Sequence, residues 1–366
     1  MLSCASAQKC NVLDVFYKLD DSQCLATKST NKEVYILYSV NPVEGFNLRR
    51  DVYLRMAVFL ESLRKIKGYE NSYLVLPTFH HLYHWKSNFK QNLMFWNHFF
   101  DLDSLKMYTN VLDMWEFFEK IKRKTRKKIV TISEVYRLQH FENMFESGVF
   151  VDKFEETACP RSDYDNYHYF DYHNITENSI TCLNFQGSAT LLINVLEKYK
   201  NTQQLSDQPR IVLFANAETA LHDFFGDEEY WRARRSMRFN NELISIANDY
   251  RKDFFDSEDK KDLVQRPVKW INEKVDFNLH FNPLITQLNP NYFFFSQPYT
   301  GAVGGDYLCV HMRRGDFLHG REAQMPTLRS VAAQIKRSLV QLGLSKVFIS
   351  SDCSGLGKLK LKKHHK

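Results

Sequence analysis

Two short stretches carry the residue types that polar chemistry needs. PVEGFNLRRD, over Pro42–Asp51, places Glu44, Gly45, Asn47, Arg49 and Arg50 directly after the apolar run VYILYSV. YLCVHMRRGDF, over Tyr307–Phe317, delivers His311, Arg313, Arg314 and Asp316 at the end of a second apolar run. A guanidinium suits a diphosphate, because its planar fork makes two charge-assisted hydrogen bonds and keeps its proton at all working pH values. A lone glutamate beside such a group suits abstraction of a hydroxyl proton, a task worth about 10² to 10⁴ in rate when the base is well placed. A plainer reading stands beside this one: Asn47 is a good helix N-cap, and arginines in a first helical turn are commonly solvated. The first stretch is not a phosphate loop of known type, since Gly45 stands alone with no GxGxxG or GxxxxGK[ST] around it.

The elements that must position these residues follow from periodicity. Val34–Val40 reads as a strand, and Val52, Met56, Phe59, Leu60 and Leu63 then recur at the spacing of a helix with one buried face, which Gly68 can end. Tyr73–Leu76, closed by Pro77, is the next strand, so the segment forms a βαβ unit of a parallel sheet. In such sheets ligands sit at the carboxyl ends of strands, where PVEGFNLRRD falls. Further helices are expected over Val111–Ile121, Thr190–Tyr199 and Glu228–Phe255, and a strand over Ile211–Asn216. The charged run Asp256–Lys261 marks a boundary. A second βαβ unit then starts with Tyr307–Met312, continues through Leu328, Val331, Ile335, Leu339 and Leu342 between Thr327 and Gly343, and reaches Lys346–Ser350. The expected organisation is an N-terminal segment 1–33, a first Rossmann-like domain 34–258 and a partial second one 259–366. The segment at about 276–300 is aromatic, nearly uncharged and without helix or strand period, and reads as an atypical insertion.

At 366 residues, 44% apolar and 25% charged, the chain can bury a sizeable core. No apolar stretch approaches the roughly 18 residues of a membrane span. The opening MLSCASAQKC has neither the basic start nor the apolar stretch of a signal peptide. A net charge of +6 is concentrated in KIKRKTRKK, Lys120–Lys128, and in the tail KLKLKKHHK. The first is read as a solvated basic face, with no nucleic-acid partner. The aromatic section Phe154–Tyr172 lacks interleaved basic residues and is read as packing. His80 and His84 have i, i+4 spacing without HExxH or a clear third ligand, and the seven cysteines show no CxxC, so no metal is expected. The sequon Asn174-Ile175-Thr176 lies between Cys159 and Cys182, a placement that would suit an exposed, disulfide-closed loop in the secretory pathway.

The motifs YSVNPVEGFNLRRDVYLR, LPTFHHLYHW, CLNFQGSA, AETALHDFFGDEEYWRARRSM and YLCVHMRRGDF, in this order, closely resemble the GDP-fucose protein O-fucosyltransferase 2 family, from about Val34 to about Asp352. The resemblance implies a GT-B-like α/β fold, two Rossmann-like domains facing a cleft, in a protein of the endoplasmic reticulum lumen. It implies inverting transfer of fucose from GDP-fucose to Ser or Thr hydroxyls of folded thrombospondin type 1 repeats, with no cofactor and no metal. Carried over by position, Glu44 is the general base and Arg313 the cation at the leaving β-phosphate. Val43, Gly45, Phe46, Asn47, His311 and Met312 are further donor-binding positions, and Cys159 pairs with Cys182. The sequon makes Asn174 a glycan acceptor. Against the family pattern the second domain reads as incomplete after Cys353. That leaves as an alternative an inactive member that binds repeat domains or misfolds.

Overall fold

The computed structural model describes residues 33–80, 82, 85, 91–142, 151–159, 174–199, 209–264, 270–272, 304–315, 317 and 322–352. Residues 1–32, the insertion at 276–300, the tail from 353 onward, His84, Asp316 and most of the aromatic section 154–172 lie outside the described residues.

The chain enters through strand β1 (Val34–Tyr38), buried along its whole length, and turns into helix α1 (Phe46–Arg64). The predicted stripe is the buried one: Val52, Met56, Phe59, Leu60 and Leu63 all face the core. Full burial of each such large side chain contributes about 1.5–3 kcal/mol, so α1 is fixed by its stripe far more than by helix propensity. Strand β2 (Ser72–Leu76) follows, then helix α2 (Leu102–Tyr108).

The helix expected over Val111–Ile121 divides in two. Val111–Asp113 is strand β3, paired with β2, and helix α3 (Met114–Thr125) begins only after Asp113. Asp113 makes a capping box: its side chain accepts from the Glu116 backbone N–H, while the Glu116 carboxylate accepts from Asp113 N at 2.9 Å, and Met114 N donates to Asp113 as well, at 3.0 Å. Sequence periodicity could not see the division, because an edge strand's three residues continue the apolar spacing of the helix they precede.

Strands β4 (Val130–Ile132), β5 (Glu134–Gln139), β6 (Lys153–Thr157), β7 (Ile175–Glu177) and β8 (Ile180–Gln186), helix α4 (Leu192–Lys198) and strand β9 (Arg210–Ala215) complete the main layer. The seven-stranded sheet runs β3-β2-β1-β9-β5-β8-β6, parallel except for β6. β4 and β7 form a separate parallel pair. Alternate residues of β1 face opposite cores: Ile36 and Tyr38 meet α1, while Tyr35 and Leu37 meet Phe117 and Ile121 of α3. The chain winds outward from β1 to β3 and later returns to the other side of β1, so the order reverses between β1 and β9.

The helix expected over Glu228–Phe255 is also two: α5 (Glu228–Ser236) and α6 (Asn241–Phe255). The break is tertiary. Asn240 N donates to Phe99 O at 2.9 Å and its side-chain amide donates to Asn97 O and His98 O, while its Oδ1 caps α6 at Leu243 N. A second parallel pair, β10 (Tyr307–Met312) and β11 (Lys346–Ser351), is joined by helix α7 (Leu328–Leu342), capped by Thr327 and closed by left-handed Gly343 as the sequence implies. Leu342, one of the apolar positions that mark this helix in the sequence, is exposed. The end of α6 packs on this pair, with Phe255 4.4 Å from Tyr307 between ring centroids.

One buried ion pair ties the main sheet. Glu134 of β5 accepts from Arg210 of β9 at 2.7 Å, and Arg210 also donates to the Tyr69 hydroxyl at 2.9 Å. Both side chains are nearly inaccessible, so removing one partner strands a buried charge. Glu134→Ala is expected to lower unfolding free energy by about 3–5 kcal/mol in urea titration, whereas Glu134→Leu with Arg210→Met costs far less. Equal losses from the single and the double replacement would contradict this account.

Candidate functional site

The reversal of strand order brings the ends of β1 and β9 side by side. Ser39 N donates to Phe214 O at 3.0 Å, and Ala217 N donates back to Ser39 O at 2.9 Å, so the two exit loops leave as a tied pair. The first loop turns on Asn41, whose Oδ1 accepts from Val43 N at 3.2 Å and whose carbonyl accepts from Glu44 N at 3.0 Å. Val43 is exposed and Glu44 half-buried. Asn47 is not the helix cap. Gly45 holds that position in extended conformation, with no side chain capping, and Asn47 lies exposed in the first turn with its Oδ1 accepting from Arg50 at 3.3 Å. Phe46 packs among Phe79, Trp85 and Phe99, with ring centroids 5.0–5.2 Å away.

Neither arginine of this stretch is a plain solvated side chain. Arg49 is 5% exposed, and it donates from Nε to Glu44 O at 3.0 Å and from Nη2 to Pro42 O at 3.2 Å. Burial lowers its pKa, partly offset by Tyr38, Glu218 and Glu44. Arg50 lies over the rings of Phe46, Phe100 and Phe239 at 5.4–5.7 Å.

The second loop supplies a carboxylate that sequence reading did not single out. Glu218 accepts from Asn41 N at 3.3 Å across the gap. Burial pushes its carboxyl up, opposed by the N–H donors of its own residue and of Asn41, while the nearby Glu44 adds to the rise. Helix α1 grips the same loop from below, because Arg55 donates to the carbonyls of Glu218 at 3.1 Å and Ala220 at 2.7 Å. Arg55 is also paired with Asp51, which meets His222 Nε2 at 2.9 Å. Burial alone would raise the Asp51 pKa, but His222 and Arg55 hold it below its ordinary value. The available signal was positional: Glu218 and His222 follow a buried strand at its carboxyl end, as Glu44 does.

At the end of β10, His311 and Arg313 are exposed and Met312 is buried. The Arg313 guanidinium lies 4.9 Å from the Phe317 ring centroid. Asp352, at the end of β11, accepts from Arg314 N at 2.6 Å and from Gly315 N at 2.8 Å. A Cβ at Gly315 would stand 2.9 Å from that carboxylate, which explains the glycine. Arg314 donates to Pro326 O and is thereby occupied within its own loop. The structure thus gathers Glu44, Gly45, Phe46, Asn47 and Arg49 with Glu218 on the main sheet, and places His311 and Arg313 on the second.

Cys159 and Cys182 are disulfide-bonded, and Asn174 is exposed just before β7. Part of the basic run is engaged: Lys120 and Lys124 pair with Glu33 at 3.2 and 2.9 Å, and Lys120 lies 3.8 Å over the Tyr73 ring. Among the described residues, no three His, Cys, Asp or Glu side chains gather as a metal site would, and no helix is long and apolar enough to cross a membrane.

Known proteins share sequence and fold with this chain. The family model for GDP-fucose protein O-fucosyltransferase matches residues 35–366. GDP-fucose protein O-fucosyltransferase 2 of Drosophila melanogaster is 38% identical over 339 residues, which cover 90% of this chain and 64% of that protein. The Homo sapiens protein of the same name is 32% identical, over 88% of this chain and 69% of its own length. The chain thus spans about two thirds of the curated relatives it matches. Among solved structures, apo POFUT1 superposes with TM-score 0.52 at 15% identity, over 91% of this chain and 82% of that one. POFUT1 in complex with GDP-fucose superposes with TM-score 0.51 at 13% identity over the same shares. At such identity the likeness is one of fold, a GT-B-like α/β architecture.

The Asp51–His222 contact carries a pH signature. A carboxyl held low in the folded state contributes stability above its unfolded pKa of about 3.8, and that stability is lost as pH falls through the lower folded value. His222→Ala is expected to lower Tm at neutral pH and to start acid unfolding at higher pH. Melting curves between about pH 2.5 and 7 that superpose for the two proteins would refute the contact's role.

Proposed function

We propose, because the chain belongs to the GDP-fucose protein O-fucosyltransferase family, that it transfers fucose from GDP-fucose to Ser or Thr hydroxyls of thrombospondin type 1 repeats with inversion at the anomeric carbon. The observation that carries this reading is the placement of Glu44, a half-buried carboxylate on a tied loop at the strand-order reversal, where open parallel sheets bind ligands. Names of relatives and a fold shared with a protein solved in complex with GDP-fucose support the donor.

In this mechanism the acceptor hydroxyl gives its proton to Glu44 as its oxygen attacks the anomeric carbon. The bond from that carbon to the β-phosphate oxygen breaks, and GDP departs with the electron pair. Arg313, exposed at the end of β10, meets the negative charge growing on the phosphate. Its guanidinium suits this role because it stays charged and can engage two oxygens at once. His311 and the backbone of Val43, Gly45 and Met312 complete the donor contacts, with Phe46 and Asn47 beside them. The lobes divide near Asp256–Lys261, 34–258 carrying the base and 259–366 the phosphate cation. The Cys159–Cys182 disulfide supports an oxidising compartment, the endoplasmic reticulum lumen, where exposed Asn174 would take a glycan.

The test is release of GDP by the purified chain given GDP-fucose and a folded repeat. Glu44→Gln is expected to reduce turnover by about 10² to 10⁴. Arg313→Ala is expected to reduce it by about 10² to 10³ while the fold persists by circular dichroism. No turnover by the unsubstituted chain overturns the proposal.

A further inference from the structure

We propose that Arg49 is the positioning residue of the base loop: its buried guanidinium clamps the Pro42–Glu44 turn onto helix α1, so that Glu44 acts from one fixed place. The inference rests on the reading of Glu44 as base. Arg49 spans two carbonyls of the turn, at 3.0 Å to Glu44 and 3.2 Å to Pro42, and one of these belongs to the base itself. At the same time its own backbone N–H donates to Gly45 O at 3.2 Å, the first hydrogen bond of the helix. Main chain and side chain of one residue therefore bracket the loop and the helix start together.

What makes the clamp stiff is what lies behind it. Arg49 belongs to a helix whose Val52, Tyr53 and Met56 are fully buried, so the guanidinium cannot follow the loop outward. A small cavity lined by Tyr38, Val40, Pro77, Thr78, Phe79 and Trp96 lies against Arg49, so a shorter side chain would enlarge a void instead of being replaced by packing. Burial of the charge is tolerated because Glu44 and Glu218 stand close to it. Lysine could not substitute fully: its ammonium is a point charge, whereas the guanidinium fork presents separate donors to two acceptors. On the far side Asn41 N donates to the Glu218 carboxylate at 3.3 Å, which fixes the start of the turn, while Arg49 holds its end at Glu44 O.

The experiment compares the full chain with Arg49→Met and Arg49→Lys by hydrogen exchange and by kinetics. In Arg49→Met the amides of Val43 and Glu44, which donate within the turn, are expected to exchange at least about tenfold faster, with β1 and β9 unchanged. Turnover is expected to fall by about 10²-fold with KM for the donor within about threefold, and Arg49→Lys to recover part of the loss. In a Glu44→Gln background the Arg49→Met replacement is expected to cost nothing further, since it acts through that carboxylate. Unchanged exchange at Val43 and Glu44 overturns the inference whether or not the chain is active. An undiminished turnover in Arg49→Met does so too. Loss of all turnover in the unsubstituted chain instead refutes the transferase reading, and the exchange data still decide the clamp. Should Arg49→Met fail to fold, Arg49→Lys answers the same question, with equal exchange and equal rate counting against the clamp.

Discussion

The parallel pairing of β1 with β9, in register from Val34 and Arg210 to Tyr38 and Phe214, is the constraint on which the site depends. Two strands far apart in sequence end at one level, and each must leave the sheet through a loop. Helices cover both faces, so those loops can only rise at the carboxyl edge. The pair of bonds between Ser39, Phe214 and Ala217 prolongs the sheet by one step into the loops themselves. Glu44 and Glu218 then face one gap because the strands beneath them are adjacent. The same reversal of order that sets the two exit loops side by side also concentrates carboxylates there.

A shared device steadies both strand-end loops, with the chemistry inverted. The loop entering α1 presents carbonyls at Pro42 and Glu44, and a buried cation, Arg49, satisfies them. The loop leaving β10 presents N–H groups at Arg314 and Gly315, and an anion, Asp352, accepts both. In each case a charged side chain from a neighbouring regular element is spent on main-chain groups that no strand or helix partner can reach. Of two adjacent arginines in each motif, one is thus occupied by its own loop. On the second sheet Arg314 is held to Pro326 O, and the Arg313 guanidinium lies against the Phe317 ring.

How much of this was legible can be judged element by element. The buried stripe of α1, strand β10 and the caps of α7 follow from apolar spacing and from Thr327 and Gly343, since these are local effects of side-chain period and backbone preference. The divisions at Asp113 and at Met237–Asn240 were not legible. There the chain leaves its helical run to pair with β2 or to bond with the Asn97–Phe99 carbonyls, partners distant in sequence. Asn47 misled for a related reason. It is a strong cap by type, but the turn at Asn41 and the clamp from Arg49 start the helix earlier, at Gly45.

By itself the sequence placed Glu44, Arg49, His311 and Arg313 at the ends of two strands, because period, turn residues and charge are properties of neighbours along the chain. It determined the family as well, through motifs that keep their order. Tertiary structure decided what each charge is for. Arg49 and Arg50 are identical as letters, yet one is buried against main-chain carbonyls and the other lies over aromatic rings. Glu218 and His222 join Glu44 and Asp51 only because β9 returns beside β1. Burial and partnership depend on what the fold brings near, and a residue's neighbours in space are not written at its position in the chain.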